Sequence, residues 1–407
     1  MDIDPFAPAH LGSIALPNRI LRSATHEGLA DDHGAPTARL TTRYLQLARG
    51  GVGAIFTGYA GVAQEGKSSN HRMLMMDRDE HVEPYRALVS AVHDHGTPII
   101  AQLAHCGRQT REVSTGAQPV APSALRDALF NEAVPRELTA HEIHGVIEAF
   151  VSAIERAKAA GFDGVQLHAA HGYLLSSFLS SYTNRRRDEW GGSLENRFRI
   201  VAEILTLARR RVGPFPILAK VNGHDARPGG MRPAEAGEIS RLLERSGCAA
   251  VEVSCGTFED GFHTIRGKSV PVDAALEYLF RFQKLPRWAR PIVRPFARLT
   301  QRPVEPIEAY NVPAAEAVKQ AVAIPVIVVG GVRSVDQMRS ILSTGQADFI
   351  AMSRPFIREP GLVRKLREGR QTRASCTSCG VCAMAIEREP LRCHDGRVRP
   401  VHQSQGP

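Results

Sequence analysis

A chain of 407 residues, 43% of them hydrophobic and 23% charged, is long enough for one large α/β domain, since such domains run to about 250 residues or more and carry insertions. No run of eighteen apolar residues occurs, and Met1-Asp-Ile-Asp-Pro-Phe6 has neither the basic head nor the apolar stretch of a signal peptide. A soluble, cytoplasmic protein is therefore expected. The net charge of +9 is mostly local: between residues 264 and 303, nine Arg and Lys face only Asp273 and Glu277, a net of +7, so a nucleic-acid footprint spread over a whole face is excluded.

Short apolar, β-rich runs alternate along the chain with segments of helical spacing, the pattern of βα units around a parallel sheet. Strands are predicted at Ile20–Ala24, Gly53–Gly58, Pro98–Ala104, Gly164–Leu167, Pro216–Val221, Ala249–Ser254, Pro325–Val329 and Phe349–Met352. Between them, Val82–His95 ends at Gly96, and Thr139–Ala160 opens on Thr139-Ala-His-Glu142 like a capping box and stops at Gly161. Eight strands with intervening helices predict a TIM (β/α)8 barrel over residues 1–370 rather than a doubly wound sheet. Residues 257–311 form an insertion after the sixth strand, and residues 371–407 a short cysteine-containing tail ending in the polar stretch Val401–Pro407, expected to fray.

Barrel chemistry sits where strands end and βα loops begin. Those positions hold Thr25-His26, Thr57-Gly-Tyr59, Gln102 with His105, His168 with His171, Lys220 with Asn222, Cys255-Gly256, Gly330-Gly331 and Ser353-Arg354. His168-Ala-Ala-His171-Gly-Tyr173 is the densest of them, with two imidazoles and a phenol able to bind and protonate a small carbonyl compound. A satisfied pair of core histidines competes with that reading, as does zinc, although zinc needs a third protein ligand. Gly330-Gly331 and Ser353-Arg354 follow the seventh and eighth strands, where a barrel holds phosphate, against the duller reading of two tight turns and a surface arginine. Lys220 points into the mouth and needs an anionic partner, either a bound ligand or a structural carboxylate.

Seven cysteines in an odd count argue against a disulfide framework. Cys376, Cys379, Cys382 and Cys393 crowd together in the tail, where their soft ligands at short spacing suit an iron–sulfur cluster or zinc, with reduced free thiols as the alternative. In the insertion, Leu285, Trp288, Ile292, Val293 and Phe296 interleave with arginines. That pattern fits either a cationic amphipathic surface for membranes or acidic substrates, or a segment packing on the barrel mouth or a second subunit. The second is favoured, because prolines should break the helix that a membrane surface wants.

The segment His168-Ala-Ala-His-Gly-Tyr-Leu-Leu-Ser-Ser-Phe-Leu-Ser-Ser-Tyr-Thr-Asn-Arg-Arg-Arg-Asp-Glu-Trp-Gly-Gly-Ser-Leu-Glu-Asn-Arg197 resembles the signature of the old yellow enzyme family of FMN-dependent ene-reductases. Leu16-Pro-Asn-Arg-Ile20, Ala101-Gln-Leu-Ala-His-Cys-Gly-Arg108, Val120-Ala-Pro-Ser123, Val328-Val-Gly-Gly331 and Ser353-Arg-Pro-Phe356 extend the resemblance over residues 5 to 370. It implies FMN held by Ser23, Ala24, Thr25 and Tyr59 at the ring, Gln102 at the pyrimidine edge, Lys220 near N1 in place of the usual arginine, and Gly330, Gly331, Ser353 and Arg354 at the phosphate. It implies also that His168 and His171 bind the oxygen of an α,β-unsaturated carbonyl substrate, that Tyr173 donates the proton, and that NAD(P)H supplies the hydride. His26 stands where relatives often have cysteine or threonine, and Gly28 where some bacterial relatives place a substrate-contacting tyrosine. The cysteine spacing is one residue tighter at two gaps than that of the dienoyl-CoA reductase and trimethylamine dehydrogenase branch. The alternatives are an iron–sulfur dehydrogenase or demethylase of the same superfamily, and a non-catalytic flavin-binding barrel.

Overall fold

The computed structural model describes residues 3–127, 133–260, 271–283, 285–299 and 307–398; Val401–Pro407 and parts of the insertion lie outside them. Every predicted strand forms: β1 Ile20–Arg22, β2 Ile55–Phe56, β3 Ile99–Ala104, β4 Gly164–Ala169, β5 Ile217–Asn222, β6 Val251–Ser254, β7 Val326–Val329 and β8 Phe349–Met352. Each pairs in parallel with the next, and the β8–β1 pairing closes the ring. The protein is a TIM barrel.

The main barrel helices are α1 Ala38–Arg49, α2 Val82–His93, α3 Ala140–Ala159, α4 Leu194–Val212, α5 Pro233–Arg245, α6 Val312–Lys319 and α7 Val335–Ser343. Thr139 and Glu142 make both halves of the expected capping box on α3. Outward strand side chains such as Ile20, Val165 and Val251 pack with these helices in the main core. Inward ones, Leu21, Phe56, Ile100, Leu218, Ile327 and Phe349, form a second cluster. The hairpin of Ala9–Leu11 and Ile14–Leu16 plugs the barrel floor, adding Leu11, Ile14 and Leu16 to that cluster. The floor is thus sealed with apolar side chains, and open space is left at the opposite end.

In the insertion, helices Val272–Tyr278 and Arg290–Leu299 form. The expectation that prolines preclude a helix here is corrected: Pro291 occupies the first turn, where no N–H is required, and Pro295 forfeits one bond without ending the helix. The tail carries a short helix, Val381–Ala385, whose Val381 and Ala385 pack against Ala274 and Tyr278 of the insertion. No described helix is long and apolar enough to cross a membrane.

Candidate active site

Strand side chains alternate between faces. Two residues beyond the inward Leu21, Ile100, Leu218 and Ala250 therefore come Ser23, Gln102, Lys220 and Glu252, joined on β4 by Gln166 and His168. This layer is polar and buried, so each group must find a partner inside it. Lys220 Nζ donates to Ser23 Oγ (2.9 Å), which donates to Glu252 Oε1 (2.6 Å). Gln166 Nε2 donates to Glu252 Oε2 (2.7 Å), and Gln102 Nε2 donates to Gln166 Oε1 (2.7 Å). Lys220 Nζ also lies 3.3 Å from Glu252 Oε1. Burial lowers the Lys220 pKa and the Glu252 carboxylate opposes that shift. The anionic partner that the sequence required is a structural one.

Above this layer opens a cavity of about 290 Å3, walled by Ser23, Ala24, Thr25, His26, Tyr59, His171, Tyr173, Lys220, Gly330, Gly331, Ser353 and Arg354, among others. Nearly all the predicted site residues are thus gathered in one place. Gln102 acts only through Gln166 in the layer beneath, and His168 stands behind the wall, with its ring 4.8 Å from that of Tyr173 and 5.0 Å from that of His171.

His171 adopts a left-handed backbone (φ 65°), unusual outside glycine. Asn222 holds it there: its Oδ1 accepts from His171 N–H (3.0 Å), while its Nδ2 donates to Asp225 Oδ1 (2.8 Å) and to the Gly256 carbonyl (3.0 Å). The ring is fixed by Ser254 Oγ, 2.7 Å from Nε2. Burial, with Lys220 nearby, lowers the His171 pKa to about 3, and burial with His171 and Lys220 puts His168 well below its usual value. Both imidazoles are neutral at pH 7. Burial, together with Tyr59 and Cys106, raises the Tyr173 pKa, so its phenol keeps its proton. Tyr59 stacks on His26 at 5.0 Å and accepts from Asn70 Nδ2 (3.0 Å). Burial takes the His26 pKa down to about 4.

Gly330 and Gly331 have φ of 143° and 81°, and a Cβ on either would stand 2.7 to 2.9 Å from Tyr310, Asn311 or Ala309. Backbone shape and the close approach of this loop demand glycine there. Beside them Arg354 Nη1 is buried and has no hydrogen-bond partner among the described residues. A buried guanidinium nitrogen and glycine-rich backbone lining the same cavity suit a phosphate group. With Lys220 lining the same cavity, the donor set fits FMN.

Sequence reasoning missed Glu252, Gln166 and Ser254, although each is a polar residue at an inward position of an apolar strand, a signal available at the alternation of two. It missed also that the tail closes the cavity: Cys382, Ala383, Ile386 and Leu391 line it, and Leu391 N–H donates to the Glu27 carbonyl (2.7 Å). Ile386 explains Gly28, since a Cβ there would meet Ile386 Cδ1 at 3.3 Å and the His71 carbonyl at 3.1 Å. Cys376, Cys379 and Cys393 lie within electrostatic reach of Cys382, whose thiol burial and these neighbours raise to about 12. Among the described residues, however, no three His, Cys, Asp or Glu are placed to hold a metal ion. As arranged, these thiols do not fit a cluster or zinc, nor do His168 and His171 fit a zinc site.

The sequence model of the NADH:flavin oxidoreductase / NADH oxidase family matches residues 4–244 and 296–373. The chain belongs to that family. Its cofactor is FMN, and the family's reductant is NADH or NADPH. The NADH oxidase of Thermoanaerobacter brockii is 34% identical over 98% of this chain and 56% of its own. An NADPH dehydrogenase of Geobacillus thermodenitrificans is 31% identical over 87% of this chain and 91% of its own. The chain thus spans about half of the first relative and nearly all of the second. An old yellow enzyme homologue from Zymomonas mobilis superimposes with a TM-score of 0.70 at 25% identity, covering 91% of this chain and 94% of that one. The matched segments leave out residues 245–295, so most of the basic insertion lies outside the family pattern.

Proposed function

We propose that the protein reduces the carbon–carbon double bond of an α,β-unsaturated carbonyl compound at the expense of NAD(P)H. The observation that carries this reading is the meeting of His171 and Tyr173 on the wall of the cavity that holds Lys220 and Arg354, with His168 directly behind. FMN, which Lys220, Arg354 and the Gly330–Gly331 backbone would hold, would supply the redox chemistry that carries a hydride from NAD(P)H to the alkene. The neutral imidazole of His171 donates an N–H group to the carbonyl oxygen, where negative charge grows as the hydride arrives, and the His168 ring, 5.0 Å away, stands behind it. Preorganised donors of this kind are worth about 2.7–4 kcal/mol each in related settings. A neutral ring suits the task, because it stabilises the oxygen without protonating it first.

Tyr173 then gives its phenolic proton to the α-carbon, completing the saturated product. The Tyr59 ring lies 5.5 Å from that of Tyr173, and its hydroxyl is fixed by Ser68 Oγ (3.3 Å) and Asn70 Nδ2 (3.0 Å), which sets the wall against which Tyr173 packs. Desolvation by the tail residues Ile386 and Leu391 strengthens each of these polar interactions.

Anaerobic addition of NADPH or NADH to the purified holoprotein tests the reading. The flavin bands should bleach and return on adding cyclohexenone or a maleimide; a flavin that fails to bleach, or that bleaches and is not reoxidised by either alkene, overturns it.

A further inference from the structure

A helix on the surface of a water-soluble domain ordinarily turns its apolar stripe inward and its charges outward. Helix Arg290–Leu299 instead turns its apolar stripe outward. Arg290 Nη1 pairs with Glu277 Oε2 (2.8 Å), Arg294 Nε with Asp273 Oδ1 (2.6 Å) and Arg298 Nη2 with Asp273 Oδ2 (2.8 Å). Those acids belong to Val272–Tyr278, the helix that packs on the tail over the cavity. The spacing of four residues between the three arginines puts them on one face, beside Val272–Tyr278, where Arg290 is largely covered while Arg294 and Arg298 reach Asp273 and stay about half exposed.

The opposite face carries Ile292, Phe296 and Leu299, which are 57%, 65% and 82% exposed, and the preceding turn presents Trp288, 74% exposed. At 3.6 residues per turn, the three helical side chains fall within an arc of about 60°. Charged groups are thereby tied to the protein, and an unbroken apolar ridge is offered outward. Such a ridge needs a counterpart.

The charge around it selects the counterpart. Residues 264 to 303 carry a net of +7. A second copy meeting this face by two-fold symmetry would set +7 against +7. The ridge itself, Trp, Ile, Phe and Leu, has no side chain suited to specific polar recognition of a protein partner apart from the indole N–H. A surface both apolar at depth and negatively charged at its boundary matches it on both counts.

We propose that Trp288 and helix Arg290–Leu299 dock the protein on the surface of an anionic lipid bilayer, with Ile292, Phe296 and Leu299 entering the headgroup boundary. The docking is peripheral, and it is independent of the reaction proposed above. Because the helix lies one layer beyond the tail that lines the cavity, docking holds the catalytic domain against the bilayer.

Sedimentation of the FMN-loaded full chain with large vesicles tests this. The chain should sediment with vesicles of phosphatidylcholine plus phosphatidylglycerol, should stay in solution with phosphatidylcholine alone, and should be released as salt rises. Trp190 is buried and Trp288 exposed, so a blue shift of tryptophan emission on vesicle addition reports Trp288. The double substitution Ile292→Ser with Phe296→Ser should weaken vesicle binding by about tenfold or more, while flavin content and melting temperature remain those of the parent. Equal binding to neutral and anionic vesicles, or none to either, overturns the proposal. A lipid-free dimer that the double substitution converts to monomer overturns it too, by giving the face to a second copy.

Discussion

Lys220 and Glu252, on adjacent strands in register, form an ion pair at 3.3 Å at the floor of the flavin cavity, with 2% and 0% of their surfaces exposed. The cation that the cofactor meets is therefore half neutralised before anything binds. In a buried setting, removing one partner leaves the other uncompensated. Glu252→Gln keeps one of the two hydrogen bonds that Ser23 and Gln166 donate to Glu252 and frees the charge of Lys220. The reduced, anionic flavin should gain more from that charge than the oxidised one. The two-electron midpoint potential should rise by about 30 mV or more, equivalent to about 1.4 kcal/mol. Redox titration against dye standards measures it, and an unchanged potential would show that Glu252 does not tune the flavin.

In the proposed reaction Tyr173 is the proton donor, and burial raises its pKa so that it keeps its proton; in its absence only water or a buffer acid can protonate the α-carbon. Tyr173→Phe should slow alkene reduction by about 10²–10⁴-fold. Reduction of the flavin by NAD(P)H should be unaffected, because that half-reaction moves no proton through the phenol. Stopped-flow measurement of the two half-reactions separates them. Equal slowing of both would assign Tyr173 to cofactor placement instead.

How far the sequence carried depended on whether the signal was local. Strand positions and the Thr139–Glu142 cap were legible because alternation and capping are set within a few residues. The histidine–tyrosine cluster was legible for the same reason. Glu252 was not, since a lone carboxylate in Ala249-Ala-Val-Glu-Val-Ser gains meaning only when β5 sets Lys220 beside it. The tail over the cavity was equally hidden: contact between Gly28 and Ile386 spans most of the chain. Helix Arg290–Leu299 was misjudged because proline was weighed by its presence, whereas its position in the first turn decides the cost.

Three histidines of the candidate site, His26, His168 and His171, make stability pH-dependent. The pKa of His26 is lowered to about 4 and that of His171 to about 3, with His168 also well below the ordinary imidazole value of 6.5. Between those values and 6.5 the unfolded chain binds more protons than the folded one, so stability is full above 6.5 and is lost as pH falls. Each unit of depression corresponds to about 1.4 kcal/mol. The melting temperature of the apoprotein should fall steadily from pH 6.5 to pH 4, and His26→Asn should flatten part of that slope. A melting temperature level across the interval would mean that these rings are hydrated in solution.

Arg354 offers the sharpest test of the cofactor's orientation, because phosphate distinguishes FMN from riboflavin while the ring does not. The unpartnered Nη1 beside Gly330 and Gly331 should contribute a charge-assisted hydrogen bond of about 1.5–3 kcal/mol to a phosphate and nothing to a hydroxyl. Arg354→Ala should therefore weaken FMN binding by about tenfold to a hundredfold and leave riboflavin binding as it was. Gly331→Ala should weaken both, since the φ of 81° and the 2.7 Å approach to Ala309 N distort the whole loop. Fluorescence titration of the apoprotein with each flavin reads the two affinities. Should Arg354→Ala lower both equally, the guanidinium would be holding the loop rather than the phosphate.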